Sequence, residues 1–383
     1  MRANRSRALV AAVVSLSIGL AACGSDDDAS DEPATTEAEA EAETDEPAEE
    51  PAEEPAEEPA EEPADDDAIT EESVDEPAAA ASYDMSVAVS PAVTVLPQYV
   101  ALAEGFFEEN GINADFVGVA SGPELGAAMI SGDITVSGNI PNNQIGLINA
   151  GFDVVAINEI VSSQFFDILV GADVDLGGAT GWEDVMAALE GSSVGVVANG
   201  AAAEDIARSL FEKAGVDPDA QSYIATGLPD TTLAAMSNGE IDIAITFDPA
   251  FVLAEAEGIG SQPFSLRDGE GPASLLWPSL LGTVSREYAE ENPEAIAAYK
   301  TAIASAVQFI QDPANRDRVL EVMIDDMGFN ADLAGPMLDA NIGYFNPTGD
   351  FNVEELNAAG QWVADIGKSE EVLTVDDFTI TPG

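Results

Sequence analysis

The residue types that carry most enzyme chemistry are scarce in this 383-residue chain: it has no His and a single Cys, Cys23. Lack of His removes the commonest general base and the commonest metal ligand. One Cys allows neither an internal disulfide nor a thiolate metal cluster. Two motifs still invite a chemical reading. Gly191-Ser192-Ser193-Val194-Gly195 has the spacing of a nucleophile elbow. Such a serine needs a base, and its place at a predicted strand start is not the strand-to-helix turn the elbow requires. Asp173-Val174-Asp175-Leu176-Gly177 hints at a calcium loop, but the Asn/Asp-Gly step and terminal Glu are missing. The residues therefore point away from an enzyme, a metal site and a cofactor.

Charge narrows the partners. Of the 73 acids, 26 lie in residues 1–80, which leaves 47 acids against 8 Lys and Arg in the remaining 303 residues. A body that acidic repels nucleic acid and anionic membrane surfaces at long range. Its plain reading is a solvated acidic surface that favours solubility. With 46% hydrophobic residues, the chain can still bury a sizeable core.

The first residues read as an address. Arg2, Arg5 and Arg7 precede an apolar run of 12 residues, Ala8 to Gly19, too short to span a bilayer comfortably. Leu20-Ala21-Ala22-Cys23 follows and resembles a bacterial lipobox. The resemblance implies a signal peptide over 1–22, cleavage before Cys23 and lipidation of Cys23. An acyl anchor would then hold the protein at the outer face of the cell membrane. Residues 23–82 form an acidic tether in which Pro47-Ala48-Glu49-Glu50 recurs at Pro51, Pro55 and Pro59. Such a composition buries too little to offset its ordering entropy, and its charge and prolines favour an extended chain.

The body contains a repeated unit. Ala128-Met129-Ile130-Ser131-Gly132-Asp133-Ile134 is echoed by Ala235-Met236-Ser237-Asn238-Gly239-Glu240-Ile241, and Phe107-Glu108-Glu109-Asn110-Gly111-Ile112 by Phe211-Glu212-Lys213-Ala214-Gly215-Val216. Two features in the same order at offsets of 107 and 104 predict two similar α/β lobes. Each echo reads as a helix, a Gly that ends it and a strand. In lobe one the pattern predicts strands over 85–89, 114–119, 134–137 and 154–160, with helices over 97–110, 123–130 and 141–150. In lobe two it predicts strands over 193–197, 222–225 and 241–246, with helices over 182–189, 202–214, 230–237 and 248–257. Strands alternating with helices imply parallel sheets covered on both faces. Ser121-Gly122-Pro123-Glu124 reads as a capping box, and Asn292-Pro293-Glu294 as another helix start. After Ser285 the chain reads as helical to about Ile366. Lobe one is expected over 83–165, lobe two over 166–275, and a return to lobe one with C-terminal helices over 276–383. The two crossings, near 162–170 and 276–284, would act as a hinge.

A family resemblance enters here. Residues 97–112, PQYVALAEGFFEENGI, resemble the opening helix of sulfonate, nitrate, taurine and thiamin-pyrimidine (NMT1/THI5-like) binding proteins. Leu189-Glu190-Gly191-Ser192-Ser193-Val194-Gly195-Val196 resembles the first strand of their second lobe, with Ser192 where the family usually has Lys. Gly239–Ala244, Phe247-Asp248-Pro249 and Val284–Glu294 match later segments in order, so the likeness covers about residues 84–370. It implies the α/β type II periplasmic-binding-protein fold: two doubly wound lobes, a ligand cleft and two crossover hinge segments. It also implies ligand capture by lobe closure and delivery to an ABC permease with its ATPase. The expected partners are thus a small molecule, that permease and the membrane through the anchor; the chain is read as a monomer. Some relatives of this fold make the thiamin pyrimidine with an active-site His, which this chain lacks.

Carried onto this chain, the family's ligand contacts fall on Ser90 and Gln98, Ser121 and Gly122, and Gly138 and Asn139. They also fall on Gln164 and Phe165, Asn199 and Gly200, Phe247 and Asp248, and Trp277. Phe165, Phe166 and Trp277 are the rings available for stacking. From Ala81 to Gly200 there is no Lys or Arg. Glu124, Glu204 and Asp230 lie in first helical turns and partly neutralise those helix dipoles. The expected ligand is therefore neutral or cationic, such as a small aromatic heterocycle. Arg208, Arg267 and Arg286 are the cations an anion would have to use. A lipid-anchored receptor that presents its ligand to a sensor partner has the same sequence signature. A structural surface protein would have no cleft.

Overall fold

The computed structural model describes residues 82–380 except 90–91 and 119–121. Cys23, the leader, the tether, Ser90 and Ser121 with its capping box lie outside the described residues.

Glycines at matching points punctuate the two halves. Gly111 and Gly215 (φ 73° and 77°) end the helices before equivalent strands, as do Gly132 and Gly239 (φ 80° and 70°). Side chains rarely adopt this backbone, so Gly stops the helix and turns the chain into the sheet. The first half runs β1 (Tyr83–Val89), α1 (Leu96–Ala103), α2 (Phe106–Glu109), β2 (Ile112–Gly118), α3 (Gly122–Ser131), β3 (Ser137–Asn139), α4 (Pro141–Asn149) and β4 (Val154–Val161). The second runs β5 (Asp167–Gly171), α5 (Trp182–Ala188), β6 (Ser193–Val196), α6 (Ala202–Lys213), β7 (Ser222–Ala225), α7 (Pro229–Ser237), β8 (Ile243–Thr246), α8 (Ala250–Glu257) and β9 (Gly260–Ser261). The chain then returns through β10 (Leu280–Ser285), α9 (Arg286–Glu291), α10 (Pro293–Gln311), α11 (Arg316–Glu321), α12 (Ala331–Asn341), α13 (Val353–Asp365) and α14 (Val375–Phe378).

The two sheets share a plan. In lobe two the order is β7-β6-β8-β5-β9, with β6 parallel to β7 and β8 and β5 antiparallel to β8 and β9. In lobe one β1 is parallel to β2, and a parallel bridge from Val87 to Val136 joins it to the β3-β10-β4 sheet, where β10 is antiparallel to both neighbours. The repeated sequence echoes occupy equivalent places, at the ends of α2 and α6 and of α3 and α7.

These sheets differ from the all-parallel reading. The segments that the sequence suggested were hinge, 162–170 and 276–284, run into strands: 167–170 belong to β5 and 280–284 to β10. Each enters its sheet from the other lobe and so runs against its neighbours. The free crossings are only 162–166 and 276–279, and hydrogen bonds fasten them side by side. Ser279 N donates to Val161 O (3.1 Å), and Gln164 Nε2 donates to Leu275 O (3.1 Å). Smaller differences have local causes. Gly105, at φ 77°, splits the helix predicted over 97–110 into α1 and α2. Asp248-Pro249 forms a turn that delays α8 to Ala250. Asn292 does not cap α10 with its side chain; its Nδ2 donates back to Tyr288 O (3.1 Å).

One apolar core fills lobe one, with Val87, Leu96 and Phe107 packed against Tyr299 of α10 and Met337 of α12. A second centres on lobe two and also takes in the chain's C-terminal part. Leu356, Trp362 and Phe378 join Val194, Ile206, Leu210 and Ile243 in it. Trp362 Nε1 donates to Ser209 Oγ of α6 at 2.9 Å, which satisfies its polar edge inside that core. α13 and α14 thus pack on lobe two's core as well as beside lobe one. Gly360 lets the following loop lie directly on α13, because a Cβ there would collide with the Leu373 carbonyl. Gly360→Ala is expected to destabilise the fold by about 3 kcal/mol through overpacking, measured by urea unfolding.

Candidate ligand cleft

Ligands in open α/β sheets bind beyond the carboxyl ends of the strands. A cavity of about 510 Å³ lies there, walled by both lobes. Lobe one supplies Ala92 and Thr94 after β1, Gly138 of β3, and Ile140 and Asn143 at the start of α4. Lobe two supplies Leu228, Pro229 and Asp230 at the start of α7, and Phe247, Asp248 and Pro249 after β8. The crossings add Phe165, Phe166, Ser279 and Leu280, and Phe329 comes from the turn before α12.

Aromatic rings dominate one wall. Phe165 lies 4.4 Å from Phe166 and 4.8 Å from Phe247, centroid to centroid, and Phe166 and Phe247 meet edge to face at 5.9 Å. Phe166 is buried, whereas Phe165 and Phe247 are only half-buried and keep apolar surface free to meet a ligand. The polar groups are few. Asp248 is 5% exposed, and its Oδ2 accepts from Arg267 Nη1 (2.9 Å) and Asn341 Nδ2 (2.8 Å). Its Oδ1 and the Ser279 Oγ are buried without a hydrogen-bond partner among the described residues. An unpartnered buried polar atom costs about 1–3 kcal/mol, so both atoms favour an occupant that satisfies them. Asp230 is exposed at the rim, and the lining contains no Lys or Arg among the described residues.

Gly138, Phe165, Phe247 and Asp248, all named from the sequence, come together on this lining. Others go elsewhere. Gln98 is buried in α1 and Asn139 is buried with its Nδ2 on Ser137 Oγ (3.0 Å); neither is on the lining. Gln164 is a hinge strut, accepting from the Phe165 and Phe166 amides while bonding Leu275. Asn199 and Gly200 are exposed at the start of α6. There Gly200 N donates to Glu204 Oε2 and Gly200 O accepts from Lys368 Nζ, each at 2.8 Å, so the protein itself occupies this helix start. Trp277 is fully buried against Trp362, 5.4 Å away, and serves the core rather than the cleft. Gly122 opens α3. The cations are engaged: Arg208 with Glu204 and Asp219, Arg286 with Asp153, and Arg267 with Asp248. Thr94, Asn143, Ser279 and Phe329 are lining residues the sequence did not single out; Ser279 alone had a signal, its place in the second crossing.

Other features are accounted for differently. Ser193, in the elbow-like motif, binds Asp242 through its amide and hydroxyl at 2.7 and 2.6 Å. Asp175 closes a local turn by accepting from Gly177 N (2.8 Å). Among the described residues, no group of His, Cys, Asp and Glu is placed to hold a metal ion. A hollow of about 550 Å³ near Asp173, Glu190 and Asp242 lies at the opposite end of lobe two's strands, lined by that lobe alone.

The NMT1-like family profile matches residues 78–324. The chain belongs to the NMT1-like family. Solved structures agree on the fold of this NMT1-like chain. It resembles the periplasmic aliphatic sulphonate binding protein SsuA from Escherichia coli (TM-score 0.63, 17% identity, covering 78% of this chain and 97% of that one). It also resembles the alkanesulfonate-binding protein SsuA from Xanthomonas axonopodis pv. citri bound to MOPS (0.62, 15%, 79% and 100%). The periplasmic nitrate-binding protein NrtA from Synechocystis PCC 6803 is a further neighbour (0.52, 13%, 79% and 92%). A search of curated proteins found no match. The fold of this NMT1-like chain is thus the one these periplasmic binding proteins share.

Arg267 owes its position to a buried acid. Asp167 accepts from Ser265 Oγ (2.8 Å), Leu266 N (2.9 Å) and its neighbour Ile168 N (2.9 Å), and also from Gln262 Nε2. Burial outweighs these bonds and pushes the Asp167 carboxyl up to about 6 from 3.8. The folded state therefore holds a proton that the unfolded state releases. This contribution to stability is largest below pH 4, is lost as pH rises through 6 and is flat above. From pH 7 to pH 5, wild-type protein should gain about 1 kcal/mol relative to Asp167→Asn, measured by urea unfolding at each pH.

Proposed function

We propose that this protein is the extracytoplasmic substrate-binding component of an ABC importer, and that it captures a neutral or cationic small molecule with a flat ring. A thiamin-pyrimidine precursor has that chemistry. In this reading the lobes close on the ligand and deliver it to a permease driven by its ATPase. Lipidated Cys23 holds the monomer at the outer face of the membrane, and the acidic tether supplies reach. No helix among the described residues is long and apolar enough to cross a membrane.

One observation carries the ligand class. The cavity combines half-buried Phe165 and Phe247 with a carboxylate oxygen and a hydroxyl that have no partner among the described residues. A ring stacks on the former, and an N–H donor satisfies the Asp248 oxygen. A sulfonate or nitrate would meet the Asp230 carboxylate with no Lys or Arg on the described lining, and the Arg267 behind Asp248 is already paired with that carboxylate. The named structural neighbours bind sulfonates and nitrate, so an anion is the competing reading.

Calorimetric titration decides between them. An aminopyrimidine, 4-amino-5-hydroxymethyl-2-methylpyrimidine, should bind with a dissociation constant of about 1 μM or tighter, and taurine should not bind measurably. Asp248→Asn should weaken the aminopyrimidine about tenfold or more, the loss expected for a charge-assisted hydrogen bond. Tight taurine binding would overturn the ligand class.

A further inference from the structure

The Asp248 carboxylate sits at a junction between the two halves. Asp248 and Arg267 belong to lobe two. Asn341 ends α12, whose Ala334, Met337 and Leu338 pack in lobe one's core. The 2.8 Å bond from Asn341 Nδ2 to Asp248 Oδ2 therefore crosses from one half to the other, between residues that are 9% and 5% exposed. Arg267 Nη1 makes the same crossing more weakly, reaching Ala340 O and Asn341 Oδ1 at 3.4 Å each. Its guanidinium lies 5.9 Å from the Phe251 ring and 5.6 Å from the Tyr344 ring. Tyr344, packed against lobe one's core, donates its hydroxyl to Asp268 beside Arg267 (2.6 Å). Apart from the Arg267–Phe251 approach, which stays within lobe two, these contacts join the turn after β8 or the loop over 262–268 to the end of α12 and the turn that follows it.

A buried carboxylate needs a cation or donors beside it. Here they all approach Oδ2, and Oδ1 stays unpartnered among the described residues. We propose that Arg267 and Asn341 are positioning residues for the cleft: they grip Asp248 by one oxygen, clasp lobe two to α12, and hold the other oxygen for an N–H donor of the ligand. The ligand half of this statement rests on the class proposed above; the clasp does not. Ligand contact and lobe contact then share one side chain. Loosening the clasp lets the halves part more readily, so a bound molecule leaves faster while its entry is little changed.

Full-length wild-type protein, Asn341→Ala and Arg267→Gln separate the two halves of the proposal. Hydrogen exchange of ligand-free protein, followed by mass spectrometry, reads the clasp. Peptides covering 262–270 and 337–345 should exchange about tenfold faster in both variants, with the core helix over 293–311 unchanged as a test of folding. Arg267→Gln carries the comparison if Asn341→Ala does not fold. Stopped-flow binding of the aminopyrimidine reads the positioning. Dissociation should accelerate about tenfold and association change less than about twofold, a split that general loss of stability does not produce. Wild-type exchange in both variants would overturn the clasp, and equal loss in both rates would overturn the positioning role. Failure of wild-type protein to bind the aminopyrimidine would sink the ligand class and leave the exchange comparison to decide the clasp.

Discussion

Two backbone segments, 162–166 and 276–279, carry the chain between lobes, and the hydrogen bonds between them fix where the lobes stand. Ser279 N on Val161 O and Gln164 Nε2 on Leu275 O hold the crossings side by side, running antiparallel. Each crossing continues directly into a sheet strand, β5 on one side and β10 on the other. The sheets are therefore anchored to the hinge through their own ladders rather than through flexible loops. This puts the carboxyl ends of β1, β3 and β8 around one space and delivers Phe165, Phe166 and Ser279 to it. The cleft is a consequence of that anchoring.

The chemistry of the cleft follows from what the chain lacks. With no His and few cations, it has little with which to build an anion site, and Arg267, beside the cleft, is held by the Asp248 carboxylate. What remains is apolar ring surface and a small number of buried oxygen atoms. A hydrophobic wall gives affinity without orientation, whereas an unpaired buried acceptor gives orientation at about 1–3 kcal/mol when satisfied. The division of labour between Phe165, Phe247 and Asp248 fits a binding protein that selects by donor placement.

Local pattern made the two-lobe plan legible. The paired helix-Gly-strand echoes reflect a backbone requirement at Gly111, Gly132, Gly215 and Gly239, and the structure places them at equivalent points. The antiparallel strands β5 and β10 were hidden, because their partners lie far along the chain and no short-range signal sets strand direction. The cleft was partly legible, since Gly138, Phe165, Phe247 and Asp248 stand directly at strand ends. Gln98, Asn139, Gln164 and Trp277 stand near the same ends but are turned to internal uses: core filling, local hydrogen bonding and hinge bracing. Phe329 and Asn341 reach the cleft region from the C-terminal part of the chain, a placement decided by contacts far apart in sequence, 93 residues in the case of Asn341 and Asp248.

The most direct test of the cleft as the seat of function is a crystal structure of the full-length protein with a bound small molecule. The account predicts electron density between the lobes, a ring against Phe165 and Phe247, and a nitrogen donor within about 3 Å of Asp248 Oδ1. A molecule bound outside this space, or an acidic group seated on a freed Arg267, would contradict it.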